Sequence, residues 1–251
     1  MTKQTRLPLR SRYFWMATCL GLMANQPPLL ANPSIVPSPI IFNAPPPPTD
    51  QGAPRGRSQG GASRGNCEQY QSLRAIVPSS EGRVWGLTAS EHPTIWVYLP
   101  SALTATAIEF VLQDATDQEV YRTQFTADTQ PGLIRLAVPE TAPAIEPGIP
   151  YFWTLAIYCN PARPSDSVFV QGSVQRSPLT PEQQAQLVAA TSLERSRLYA
   201  AFGFWYDALT TLADLRQTDP TQAETAWNEL LQQVGLEAVA DQPIASCCTP
   251  R

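Results

Sequence analysis

The stretch PGIPYFWTLAIYC, Pro147–Cys159, decides the fold. Pro147 and Gly148 set a rigid turn, and Tyr151–Cys159 then runs without proline, glycine or charge. Its aromatic and β-branched residues suit a buried strand. The stretch reads as the central strand of a β-sandwich, entered from a tight turn and ending on a cysteine.

Further strand patterns lie on either side. Thr94–Leu99 (TIWVYL) is rich in β-formers and stops at Pro100. Ile108–Leu112 and Glu119–Phe125 flank the polar turn Asp114–Gln118 and predict a hairpin or neighbouring antiparallel strands. After the Pro131–Gly132 turn, Leu133–Val138 alternates and ends at Pro139. Val168–Arg176 closes the series after a Pro/Ser-rich loop at 160–167. Short strands separated by Pro/Gly turns predict an antiparallel β-sandwich over 67–177 rather than a βαβ sheet. Trp85, Trp96 and Trp153 are expected in or at the edge of its core.

Beyond Arg176 the pattern becomes helical. Ser177 or Thr180 is a candidate cap before Pro181, and proline suits a first helical turn. Gln183–Tyr206 lacks proline and is rich in Ala, Leu, Gln and Glu, with Gly203 placed to break the run. Trp205–Arg216 and Glu224–Val234 are further helices; in the second, Trp227, Leu230, Leu231 and Val234 fall on one face, and Gly235 is a natural cap. The fold class is therefore α+β: a sandwich followed by a small α-helical domain over 178–240, then a flexible tail over 241–251.

The N-terminus reads as an address. Lys3, Arg6, Arg10 and Arg12 precede the short apolar run Tyr13–Ala24, and small residues follow at Ala24 and Ala31. That is the form of a secretory signal peptide over 1–31, too short for an ordinary membrane span. Cleavage near Ala31 leaves 13 arginines against 21 acidic residues, a formal charge of −8. A basic surface for nucleic acid is thereby excluded. The mature chain is expected to lack a transmembrane helix and to be periplasmic or extracellular. Residues 32–66 are expected to be a disordered linker: eight prolines lie in 32–54, and RGRSQGGASRG at 55–65 carries Arg55, Arg57 and Arg64. This glycine-rich run lacks the lysine of a phosphate loop.

Export permits disulfides. Cys67, Cys159, Cys247 and Cys248 allow three pairings. Cys67–Cys159 is preferred on position, because it ties the start of the sandwich to its core strand. Cys247 and Cys248 read as a flexible thiol pair or as outward bonds, with a bond between the two neighbours least favoured.

No catalytic, cofactor-binding or metal-binding constellation stands out. His92 is the only histidine; Ser90, Glu91 and Thr94 are near it, but no nucleophile elbow surrounds them. Asp114, Asp117 and Glu119 cluster at a turn without an EF-hand pattern and read as an exposed hairpin loop. Asp207 and Asp214, seven residues apart on a helix, read as solvated; Arg195 or Arg197 is placed to pair with Glu194 or with a carboxylate on the next helix.

Three resemblances add to this. The Pro-Gly turn before Tyr151 and Trp153 resembles the strand start of immunoglobulin- and fibronectin-type sandwiches, where a tyrosine closes a sheet corner. Gly203, Trp205, Ala208 and Pro220 match the spacings of a tetratricopeptide repeat, with departures at Ser192 and Ser196. GGASRG at 60–65 with Cys67, GLT at 86–88, TIWVYLP at 94–100, Glu109–Phe110, YFWTLAIYC at 151–159 and YAAFGFWYDALTTLADLR at 199–216 together resemble the exported cyanobacterial proteins of domain of unknown function 928. That family brings no assigned activity or cofactor. The expected function is a non-enzymatic module binding an envelope protein or polymer, with the junction of sandwich and helices as its surface. The alternatives are an enzyme modifying envelope polymers and a structural part of an envelope assembly. Oligomeric state is left open.

Overall fold

The computed structural model describes residues 38–46, 59, 67–80, 82–160 and 162–248. The expected signal peptide, most of the expected linker and its three arginines lie outside the described residues. In chain order the strands are β1 (Arg74–Ala75), β2 (Ser79–Ser80), β3 (Arg83–Thr88), β4 (Thr94–Leu99), β5 (Leu103–Gln113), β6 (Glu119–Thr129), β7 (Gly132–Ala137), β8 (Pro150–Tyr158) and β9 (Ser167–Arg176). The helices are α1 (Pro181–Ala189), α2 (Ser192–Ala201), α3 (Trp205–Thr218) and α4 (Pro220–Gln232). A mixed β-sheet region is thus followed by a bundle of helices.

β8 has the alternation that its sequence implies. Tyr151, Trp153, Leu155 and Ile157 are buried, and the residues between them are half-buried. It sits inside a six-stranded sheet of order β2-β3-β9-β8-β5-β6, while β1, β4 and β7 form a separate three-stranded sheet. The Glu146 N–H donates to the Tyr151 hydroxyl at 3.1 Å, so this tyrosine does close the turn that precedes its own strand. Opposite Trp153 in the ladder stands Gly172. A Cβ there would lie 2.5 Å from the indole ring, so the flat face of Trp153 requires glycine on the neighbouring strand.

One ladder departs from the antiparallel expectation. β3 runs parallel to β9, from Trp85 opposite Ser173 to Thr88 opposite Arg176. Parallel neighbours need a long crossover, which no local turn announces. β3 is also masked by Gly86 in mid-strand. The glycine is there because α3 packs on it: an added Cβ would approach Trp205 Cβ to 3.1 Å and the Tyr206 ring to 3.2 Å.

The helical run expected from 183 to 206 is two helices. Thr180 caps α1, as one of the two candidates required, and a second capping box starts α2: Thr191 accepts from the Glu194 N–H while the Glu194 carboxylate accepts from the Thr191 N–H. Gly203 and Gly235 take positive φ of 85° and 69° at the ends of α2 and α4. Ser196 is fully buried and donates to the Ala208 carbonyl at 2.9 Å, linking α2 to α3.

Strands and helices share one core. Trp96, Trp153, Trp205, Trp227 and Tyr206 are all essentially inaccessible, and Trp85 is buried as expected. Trp153 Nε1 donates to the Tyr206 hydroxyl at 3.0 Å, and that hydroxyl donates to the Ser173 carbonyl at 2.9 Å. Trp205 Nε1 donates to the Ile76 carbonyl at 2.9 Å, and Trp96 Nε1 to Thr210 Oγ1 at 3.0 Å. The indole N–H groups of Trp96, Trp153 and Trp205 thus bond between the sheet region and α3, and that of Trp227 bonds the Ala240 carbonyl at 2.9 Å, as burial demands.

Cys67 is bonded to Cys159, with Cα atoms 5.6 Å apart. Cys247 is bonded to Cys248, the pairing least favoured by sequence. The segment leading to them is held, against the expected flexible tail. Leu133 N–H donates to the Pro243 carbonyl at 2.8 Å and Ala245 N–H to the Leu133 carbonyl at 2.9 Å, so residues 243–245 run along β7 instead of trailing free. Within the stretch expected to be linker, residues 38–46 are extended but docked on α2, α3 and α4, and Ile40 is buried.

Two outcomes follow for stability. Tyr206→Phe leaves the buried Trp153 indole donor without its partner and is expected to cost about 1–3 kcal/mol in urea unfolding. Replacing Cys67 and Cys159 by alanine opens a loop closed across 92 residues and is expected to cost about 2–5 kcal/mol. Unchanged midpoints in either variant would refute the corresponding role.

Candidate functional site

The loop from Thr88 to Pro93 joins β3 to β4 and lies against the first turns of α3. Its ends are fixed by the two strands, so its own polar groups must be satisfied locally or by the helix. Ser90 Oγ accepts from the His92 N–H at 3.1 Å and donates to the His92 carbonyl at 2.9 Å. Ser90 N–H donates to Thr88 Oγ1 at 3.1 Å, and the Thr88 hydroxyl in turn bonds Asp207. The Ala89 N–H donates to Asp207 Oδ2 at 2.9 Å. One carboxylate on α3 thereby anchors the start of the loop, and its far end is tied by Arg176 to Glu91 at 2.7 Å and by Ile145 N–H to the Glu91 carbonyl at 3.0 Å.

Between loop and helices is a cavity of about 150 Å³, lined by Thr88, Ser90, His92, Thr94, Tyr199, Tyr206, Asp207, Thr210 and Thr211. Its lining residues carry five serine or threonine hydroxyls, two phenols, one imidazole and one carboxyl. Asp207 is closely surrounded by protein yet keeps some accessible surface, which is the surface that lines this cavity. Its pKa is pushed up to about 6: burial raises it, and the bonds from Ala89 and Thr88 only partly offset that. Tyr199 is also raised, by burial first and by the nearby Asp207 charge second. The phenol of Tyr206 is raised by its complete burial and stays a hydroxyl, as its donor role requires.

His92 Nε2 lies 3.0 Å from the Ala142 carbonyl. A carbonyl only accepts, so this nitrogen carries the hydrogen. The Ser90 hydroxyl is occupied by the backbone of His92 and not by its ring, so these residues share a cavity without a serine–histidine pair. The arrangement can bind and orient a small group bearing hydroxyls or a positive charge.

The other sequence candidates go elsewhere. Asp114 Oδ1 accepts from the Thr116 hydroxyl, the Thr116 N–H and the Gln118 N–H at 2.7, 2.8 and 3.0 Å, which closes its own hairpin. These bonds, the Thr116 hydroxyl foremost, hold its pKa low. Glu119 pairs with Arg122 at 2.6 Å. Among the described residues no group of three His, Cys, Asp or Glu is placed to hold a metal ion. Asp214 does meet solvent and pairs with Arg135 at 2.7 Å, but Asp207 corrects the solvated reading. Arg195 bonds the Leu187 and Ala190 carbonyls, tying α1 to α2.

Sequence reasoning missed a second cluster. Glu109 accepts from Tyr158 and Gln124 at 2.7 Å each and from Arg122, on three adjacent strands. Burial would raise this carboxyl, but the bonds from Tyr158, Gln124 and Arg122 outweigh it and hold it low. The register Glu109 opposite Gln124 and Ala156 makes the cluster, and register is invisible in a single strand. Among the described residues no helix is long and apolar enough to cross a membrane.

Asp207 makes stability depend on pH. The folded chain holds its proton more tightly than the unfolded chain, whose carboxyl titrates near 3.8. This contribution is complete below that value and is lost as pH rises through about 6. Asp207→Asn removes it, so the urea midpoint of the native chain should fall relative to the variant between those pH values. Parallel profiles would refute the buried, shifted carboxyl.

No curated protein matches the chain. The family model described as Domain of Unknown Function (DUF928) matches residues 59–244, which spans both sheets, all four helices and the Asp207 cavity. The chain belongs to the DUF928 family.

Proposed function

We propose that this chain is an exported, non-enzymatic binding module that recognises a protein or polymer of the cell envelope through the Asp207 cavity. The observation that carries the reading is the cavity where the β3–β4 loop meets α3, lined by hydroxyl-bearing residues around the Asp207 carboxyl. Such a lining suits hydrogen-bonded recognition of a small polar group at the end of a larger partner. Two disulfides favour an oxidising compartment, periplasmic or extracellular, and agree with the signal-like N-terminus. The two-sheet arrangement and the Tyr151 corner support an immunoglobulin- or fibronectin-like sandwich. The α2–α3 pair followed by α4 supports a single tetratricopeptide-like unit, with buried Ser196 filling the close contact. A cyanobacterial origin rests on the motif resemblance alone.

A second reading, an enzyme acting on envelope polymers, has one observation in its favour: His92 and Asp207 line the same cavity. The commitment of the Ser90 hydroxyl to the loop backbone weighs against it.

The test is capture from isolated native envelope, using the intact chain beside Asp207→Asn and Thr211→Leu, the latter to fill the cavity. Envelope proteins or polysaccharide retained by the native chain should fall at least tenfold with both variants while their circular dichroism shows them folded. Equal retention by all three would sink the reading.

A further inference from the structure

Residues 38–46, SPIIFNAPP, lie in a groove made by α2, α3 and α4. The contacts are those of a bound peptide. Glu229 Oε2 accepts from the Ile40 N–H at 3.1 Å. Gln233 reads two residues at once: its Oε1 accepts from the Phe42 N–H at 2.9 Å, and its Nε2 donates to the Ile40 carbonyl at 3.0 Å. Asn43 N–H donates to the Ala200 carbonyl at 3.1 Å, and its side-chain amide to the Ala201 carbonyl at 2.8 Å. Ile40 is buried, Ile41 points out at 57% exposure, and Phe42 meets the Trp205 ring edge-on at 5.1 Å.

This is strand-like recognition: groups on the groove bond the backbone, and alternate side chains enter it. Gly203 keeps the far end open, since an added Cβ would lie 2.9 Å from the Asn43 carbonyl oxygen and 3.2 Å from Pro45. Glu229 and Gln233 lie one turn apart on α4, so their spacing fits a repeating backbone.

The family match begins at residue 59. All three helices of the groove fall within it, and the segment filling the groove falls outside it. The groove is therefore part of the domain, and its occupant is appended.

We propose that the α2–α3–α4 groove is a peptide-binding site for an extended Ile-x-Phe-Asn segment of another protein, and that residues 38–46 occupy it as an internal competitor. Twelve residues separate Pro46 from Gln59, which pairs with Arg74. A tether of that length sets a local concentration on the order of 1 mM. An outside peptide with a dissociation constant of roughly 0.1 mM would then be weakened about tenfold by the arm.

The probe is fluorescein-labelled SPIIFNAPP, followed by anisotropy on the intact chain and on the full-length Ile40→Ala, Phe42→Ala variant. The variant should bind at least tenfold more tightly than the native chain. Adding Gln233→Ala should abolish the gain, and a peptide with Asp at both apolar positions should not bind. A folded variant with no gain overturns the proposal. If the variant fails to fold, hydrogen exchange on the native chain decides. With about 10 mM unlabelled peptide present, several times the arm's local concentration, the Ile40, Phe42 and Asn43 amides should lose protection. Unchanged protection overturns the proposal, as does an arm-exchanged dimer of the native chain at micromolar concentration, which would assign the groove to copies of this chain.

Discussion

The Tyr206 hydroxyl is the point on which both halves of the molecule depend. It accepts from Trp153 in the central strand and donates to Ser173 in the next one, so one side chain of α3 completes the hydrogen bonding of two strands. Without it the sheet would bury the Trp153 indole N–H with no partner, a penalty larger than the gain from an ordinary surface bond. The packing demands follow from the same contact. Gly172 makes room for the indole, and Gly86 makes room for Trp205 and Tyr206. Strand and helix are thus fitted to one another at the level of single carbon atoms.

The cavity inherits its position from this arrangement. Tyr206 and Asp207 are consecutive on α3; the first is fixed by the sheet, which places the second beside Ala89 and Thr88. Asp207 then anchors the loop that brings Thr88, Ser90 and His92 to the cavity. A burial cost at one carboxyl is offset by the order it gives to a five-residue connection. That ordering is what a preorganised binding site requires.

Much of the architecture was legible locally. Pro147–Cys159 alternates in burial as its composition implies, Thr180 and Gly235 cap helices where their residue types suggest, and Cys67 meets Cys159. The readings that fell short all concern non-local partners. The parallel β3–β9 ladder joins segments from opposite ends of the sandwich. Asp207 was read as solvated together with Asp214, yet the two lie two turns apart along α3: the first meets the β3–β4 loop, the second reaches Arg135 and solvent. Glu109 gained its role only from strand register. Ile40 and Phe42 looked like linker because prolines surround them, and no periodicity marks a segment held by somebody else's side chains.

The parallel ladder also bears on how the chain is made. β3 cannot acquire its in-sheet neighbour until residue 176 has left the machinery that delivers the polypeptide, and Gly86 stays uncovered until α3 follows. For that interval Val84, Trp85 and Leu87 form an open apolar edge joined only to the two residues of β2. Long-range closure of this kind is slow and leaves sticky intermediates in its wake. The last strand of the sheet to be made is thus the one that shuts its opening edge, so closure of the sheet waits on the whole β-region.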